Sequence, residues 1–157
     1  SMAKNLLVGV GSKARKVKAL YVGVGGKARK VKKVYVGVGG KARLVYQSYV
    51  AVTGIDLVLP DNITQPTVTI TAVFTPSDAT DQKVTWKFGG INGAYMDGVY
   101  MDVVHTTDTS CSIKSKNAYI NSFLTITATA SNGVTVTKTL VHTSVSLGMP
   151  NGTWKWD

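Results

Sequence analysis

Phe123–Val141 reads FLTITATASNGVTVTKTLV, and this stretch decides the fold class. Leu124, Ile126 and Ala128 alternate with Thr125, Thr127 and Thr129, the period of two by which a strand turns one face to a core and the other to water. Asn132-Gly133 supplies residues that tolerate the positive φ angles of a primed turn, so Val134–Val141 is predicted to return as the second arm of a hairpin. The same language runs upstream. Ile55–Leu59, Thr67–Phe74, Lys83–Phe88 and Val99–Val104 are short β runs, separated by Pro60-Asp61-Asn62, Thr75-Pro76-Ser77-Asp78, Gly89-Gly90 and Asn92-Gly93. Val68, Ile70, Ala72 and Phe74 again alternate with Thr67, Thr69, Thr71 and Val73. Short strands at this near-regular spacing predict an all-β sandwich over residues 49–146.

Residues 1–48 differ in kind. They hold 12 of the 18 Lys and Arg residues and none of the 8 acids, all of which are aspartates. The basic character of the chain, +10 in total, therefore belongs to this arm, and the remainder is slightly acidic. Such asymmetry marks two jobs on one chain. The arm is also repetitive: LVGVGSKARKVKAL (Leu7–Leu20), YVGVGGKARKVKKV (Tyr21–Val34) and YVGVGGKARLVYQS (Tyr35–Ser48) follow one another with a period of 14. Tyr49-Val50-Ala51-Val52-Thr53-Gly54 keeps the frame into the next domain.

Each repeat, over residues 5–48, is expected to form one β-hairpin, with a Gly-Gly-Lys turn between a Tyr-Val-Gly-Val strand and an Ala-Arg-Lys-Val-Lys strand. Alternation puts Val22 and Val24 on one face, with Tyr21 and the glycines on the other. An isolated hairpin is marginal in water, so something must cover these faces. Tyr21, Val22, Val24, Tyr35, Val36 and Val38 are the candidate oligomerisation or attachment residues. A homo-oligomer is expected, with a trimer favoured, or else docking on another protein. Lys13, Arg15, Lys27, Arg29, Lys41 and Arg43 are the candidate contacts for a polyanion, since neutralising several phosphates gives strong, salt-sensitive binding. Gly23-Val24-Gly25-Gly26-Lys27-Ala28 formally matches a dinucleotide fingerprint, but a repeat of this length leaves no room for the following helix. Gly25-Gly26-Lys27 likewise lacks the spacing and hydroxyl of a phosphate-binding loop.

Several function classes drop out on composition. Hydrophobic residues make up 44% and charged residues 17% of the chain, enough apolar content for a core and too little charge for disorder. No apolar run approaches the roughly 18–20 residues of a spanning helix, so no membrane insertion is expected, and no signal-peptide core is apparent. The single cysteine, Cys111, can make neither an intramolecular disulfide nor a zinc site with neighbouring ligands, and is read as a packed strand residue.

A resemblance now rests on particular residues. Thr53-Gly54-Ile55-Asp56-Leu57, Phe74-Thr75-Pro76-Ser77-Asp78-Ala79-Thr80, Lys83-Val84-Thr85-Trp86 and Leu124-Thr125-Ile126-Thr127-Ala128 together resemble the group 2 bacterial immunoglobulin-like domain. The resemblance covers roughly residues 50–145 and implies an immunoglobulin-like sandwich in which Trp86 is the core tryptophan. The segment Gly89–Phe123 is longer than the family pattern. The tandem Tyr-Val-Gly-Val-x-Gly-Lys-Ala-Arg units resemble repeats of virion structural proteins from phages and prophages of Firmicutes. The combination implies a tail- or capsid-associated component, made in the host cytoplasm and resident in the virion, with weak carbohydrate or cell-surface contact.

Catalytic chemistry finds little support. His105 and His142 sit in Val/Thr-rich strand contexts, and Asp97 and Asp102 lie in a near-repeat without a calcium-loop pattern. No catalytic residue, metal ligand or cofactor is assigned, and the chain is expected not to be an enzyme. Recognition is the better reading. Tyr95, Tyr100 and Tyr119 lie among small polar residues in a composition suited to binding loops. Trp154 and Trp156, in a C-terminal tail over 147–157, would pack on a neighbouring subunit, stack on a sugar ring, or dock on the chain's own sandwich. The leading expectation is a non-enzymatic virion protein whose repeats assemble and whose sandwich is displayed for host-surface or glycan contact. The alternatives are a polyanion-binding protein, gripping DNA or teichoic acid, and a bacterial adhesin fragment.

Overall fold

The computed structural model describes residues 5–61, 63–90, 100–117, 119–145 and 148–157. These residues form antiparallel β-sheets and no helix. The chain divides into two compact units, Ser1–Val50 and Ala51–Asp157.

In the first unit three two-stranded sheets follow the repeat: β1 (Leu7–Val10) with β2 (Lys13–Lys16), β3 (Tyr21–Val24) with β4 (Lys27–Lys30), and β5 (Lys33–Val38) with β6 (Lys41–Gln47). The turns are two residues long, because Val10, Val24 and Val38 pair directly with Lys13, Lys27 and Lys41. The lysine expected in the turn therefore opens the return strand. Both turn residues have positive φ in every copy: Gly11 and Ser12 (55° and 67°), Gly25 and Gly26 (57° and 76°), Gly39 and Gly40 (59° and 79°). That is the requirement of a type I′ turn, whose twist matches the strands it joins. Leu6 O and Leu20 O accept from Val17 N and Val31 N at 2.7 Å, adding one rung to each of the first two hairpins. The third is longer, with a bulge at Val45 where Tyr35 pairs Leu44 and Val34 pairs Tyr46.

The second unit holds two four-stranded sheets. One has the order β10 (Met101–Thr106), β11 (Ser110–Ser115), β8 (Thr67–Thr75), β7 (Gly54–Val58). The other has the order β14 (Thr153–Trp156), β13 (Thr135–Thr143), β12 (Ser122–Ala130), β9 (Val84–Gly89). The alternation in the sequence is the alternation of burial: Val68, Ile70, Ala72 and Phe74 of β8 face inward, as do Leu124, Ile126, Ala128 and Ala130 of β12. Leu57, Met101, Ile113, Leu140 and Trp154 complete the core. On the outer faces threonines meet across strands, Thr127 with Thr137 at 2.9 Å and Thr129 with Thr135 at 3.1 Å, so polar side chains bond each other where a strand needs β-branching but faces water.

Trp86 is partly buried against this core, and its indole N–H donates to Thr107 O at 2.8 Å, tying β9 to the β10–β11 turn. Lys138 ties β13 to β7, bonding Asp56 at 2.8 Å and Leu57 O at 3.3 Å. The Lys138 hydrogen bond holds the Asp56 carboxyl below its usual pKa, so this contribution is present above the carboxylate's unfolded pKa and fades as pH falls through the folded one. Its exposure keeps the contribution small.

Cys111 lies fully buried on β11 between Ile70 and Thr106, and desolvation pushes its thiol pKa up to about 12. A buried thiol is a poor nucleophile. Thiol reagents at pH 8 are expected to label the native chain at least about 100-fold more slowly than the unfolded one, as followed by mass spectrometry. Equal rates would mean that β11 is not part of a closed core.

Candidate functional site

Antiparallel pairing places opposite residues on the same face, and this sorts the repeat side chains into two distinct surfaces. One face of each hairpin carries two valines opposite an arginine and a lysine: Val8 and Val10 with Arg15 and Lys13, Val22 and Val24 with Arg29 and Lys27, Val36 and Val38 with Arg43 and Lys41. The other face carries a glycine opposite an alanine, flanked by one large apolar residue. These are Gly9, Ala14 and Leu7; Gly23, Ala28 and Tyr21; and Gly37, Ala42 and Tyr35. Lys16 and Lys30 stand at the ends of the first two such faces, and Leu44 takes that place in the third.

The residues expected to act together as one attachment set are thereby divided. Val22, Val24, Val36 and Val38 share their surface with the cations, whereas Tyr21 and Tyr35 lie on the opposite side. Both surfaces are open: Tyr21 is 59% exposed and Tyr35 54%, and every residue of β1 to β4 is exposed. All the repeat cations lack an acidic partner within their own unit, because the first acid of the chain is Asp56.

The strand glycines are functional candidates that the alternation argument passed over. Gly9, Gly23 and Gly37 sit in strand interiors without the positive φ that would demand glycine, and a Cβ built on any of them meets no atom within 4 Å. Glycine weakens a strand, and where the backbone does not need it, it marks close approach by something else. The available signal was its recurrence at the centre of each copy.

The aromatic set expected on the second unit does not form one surface. Tyr95 lies outside the described residues, as do Asp97 and the Asn92-Gly93 turn. Tyr119 is 82% exposed, while Tyr100 is partly buried and its carbonyl accepts from Lys116 N. Trp154 is fully buried, which corrects its assignment to a surface contact. The tail docks on its own sheet: β14 pairs with β13, Trp154 opposite His142 and Trp156 opposite Leu140. It belongs to the second unit rather than forming a separate region.

Two hydrogen bonds and a ring contact explain why Trp154 sits inside. Its indole N–H donates to Gln65 O at 2.7 Å and its backbone N–H to Ile63 O at 3.0 Å. Its ring meets the His142 ring edge-on at 4.8 Å. His142, also fully buried, has Nε2 3.0 Å from Asn151 O and Nδ1 3.5 Å from Ser115 Oγ. Nδ1 also lies 3.4 Å from Ile120 O, so polar groups face both ring nitrogens. Trp156 is partly buried, with Lys138 Nζ 5.1 Å from its ring centroid.

The remaining titratable candidates are dispersed. His105 is exposed on β10 opposite Ser112, and Asp102 pairs with Lys116 at 3.9 Å. Among the described residues no three His, Cys, Asp or Glu side chains group as metal ligands, and no helix is long and apolar enough to cross a membrane. The exposed apolar and cationic side chains of the first unit lie on the two open faces of its hairpins. Comparison of the chain with protein-family models, with curated proteins and with solved structures finds no match.

Proposed function

We propose that this chain is a non-enzymatic phage or prophage virion structural protein, whose repeats assemble copies of the chain and whose second unit is displayed toward a host surface or its glycans. The observation that carries the assembly reading is the glycine–alanine floor beneath Leu7, Tyr21 and Tyr35. Each such face holds both a large side chain and a shallow place for one, so the large side chain of one copy can seat on the floor of the next, a heterologous contact of the kind that closes a ring. Covering these side chains contributes about 25 cal/mol per Å² of apolar surface, the term that isolated hairpins lack. A trimer is the favoured assembly, and other virion proteins are the alternative partners for the same face.

The display reading rests on the second unit being immunoglobulin-like. Its strand order supports this: β7-β8-β11-β10 in one sheet and β9-β12-β13 in the other follow the order A-B-E-D and C-F-G expected of that fold, with β14 added beyond the last strand.

Light scattering on the intact chain and on residues 51–157 tests the proposal. The intact chain is expected to give an oligomeric mass that persists in high salt, and the truncated chain a monomer. A monomeric intact chain, or an oligomer that survives truncation, would overturn it.

A further inference from the structure

The second surface of the repeats has a different character, and the assembly reading leaves it unused. Val8, Val10, Lys13 and Arg15 recur without change as Val22, Val24, Lys27 and Arg29, and again as Val36, Val38, Lys41 and Arg43. On the opposite face the outer positions drift: Leu7 becomes Tyr21 and Tyr35, and Lys16 and Lys30 become Leu44. The cationic face is thus the one whose four positions are identical in all three hairpins.

Each pairing also has a physical sense. Arg15, Arg29 and Arg43 stand directly across from Val8, Val22 and Val36, so the guanidinium stem has a stiff β-branched neighbour while its head reaches solvent. The lysine lies two residues away on the same side, about 6.6 Å along the strand. No acid lies within this unit, and the ion pairs Lys116–Asp102 and Lys138–Asp56 both lie in the other one. Six cations on three equivalent surfaces therefore have no counter-charge of their own.

We propose that the Lys–Arg faces of the three hairpins bind the phosphate backbone of duplex DNA without reading its sequence. Charge complementarity selects a polyanion, and three identical two-cation surfaces select one whose charges repeat. Arginine at the same place in every copy suits phosphate, which it grips with two parallel hydrogen bonds. The face bears no aromatic side chain, so it lacks the stacking platform by which single strands are held. It lacks equally the Asn and Gln amides that read adenine edges. The binding face is opposite the glycine–alanine face, so the inference does not depend on self-assembly.

Fluorescence anisotropy with a labelled duplex tests this on the full chain. If all six cations meet phosphates, affinity falls by about 10³-fold between 50 and 200 mM salt, and a duplex of scrambled sequence binds equally well. Changing Lys13, Arg15, Lys27, Arg29, Lys41 and Arg43 to Gln is expected to lower affinity at 50 mM salt by at least about 100-fold and flatten the salt dependence. Changing the other six cations, Lys4, Lys16, Lys18, Lys30, Lys32 and Lys33, to Gln removes the same charge and is expected to cost less than about tenfold. Circular dichroism of each variant is the control that its strands are kept. Arg15, Arg29 and Arg43 to Lys should weaken binding while leaving the salt slope intact. Equal losses in the two six-residue variants would overturn the assignment to this face. Absence of binding at 50 mM salt, a strong sequence preference, or tighter binding of poly(glycerol phosphate) than of DNA at equal phosphate would overturn the choice of partner.

Discussion

Trp154→Ala is expected to lower the stability of the second unit by about 3–5 kcal/mol, the range for truncating a buried large aromatic. The indole fills the space between β14 and the chain around Gln65, and its removal leaves Gln65 O without a donor and His142 without its edge contact. The neighbouring Trp156→Ala is expected to cost about 1 kcal/mol, because that ring is partly exposed and its specific partner is the Lys138 ammonium. Denaturant unfolding of the full chain, followed by far-ultraviolet circular dichroism, separates the two. Equal and small losses would mean that the C-terminal strand is an appendage and not part of the core.

Gly152→Ala should be nearly as damaging, through the backbone rather than through lost area. Gly152 has φ of +69°, and a Cβ there would collide with Thr143 O and lie 2.8 Å from His142 Nε2. The left-handed conformation alone costs an L-residue about 1–2 kcal/mol. The collision strikes the carbonyl and the ring that anchor the approach to β14, so about 3 kcal/mol or more is expected in total. Gly148 provides the comparison, since its φ is +83° but nothing lies within 4 Å of a Cβ there. Gly148→Ala should therefore cost only the conformational part. If the two substitutions were equivalent, the close packing of His142 against Gly152 would be wrong.

The all-β class was legible because its signals are local. Period-two alternation in Thr67–Phe74 and Phe123–Ala130 matches the inward and outward faces of β8 and β12, and the glycines of each repeat mark a turn that needs positive φ twice. What escaped the reading depends on contacts distant in sequence. Trp154 finds Gln65 across 89 residues, and no pattern within Asn151–Asp157 distinguishes a strand that docks at home from one that docks elsewhere. The turn was displaced by one residue, since a run of Gly-Gly-Lys does not reveal whether lysine closes the turn or opens the strand. At the candidate site the residue types and the two faces were legible from alternation, which already separates Val22 and Val24 from Tyr21 and the glycines. The cross-strand partners were not: only the pairing register sets the valines against the arginine and lysine and the glycine against alanine, and a glycine that contributes no side chain is easily passed over as mere spacing.

Replacing Gly9, Gly23 and Gly37 by Val tests the central claim most directly. Valine suits an exposed strand, and nothing within the chain lies near any of the three positions, so the hairpins themselves should tolerate the change or gain from it. A partner sheet resting on the glycine–alanine floor would not. The account predicts that light scattering finds an oligomer for the native sequence and a monomer for the triple valine chain, at both low and high salt. An unchanged oligomeric mass in the valine chain would show that this face is not where copies of the chain meet.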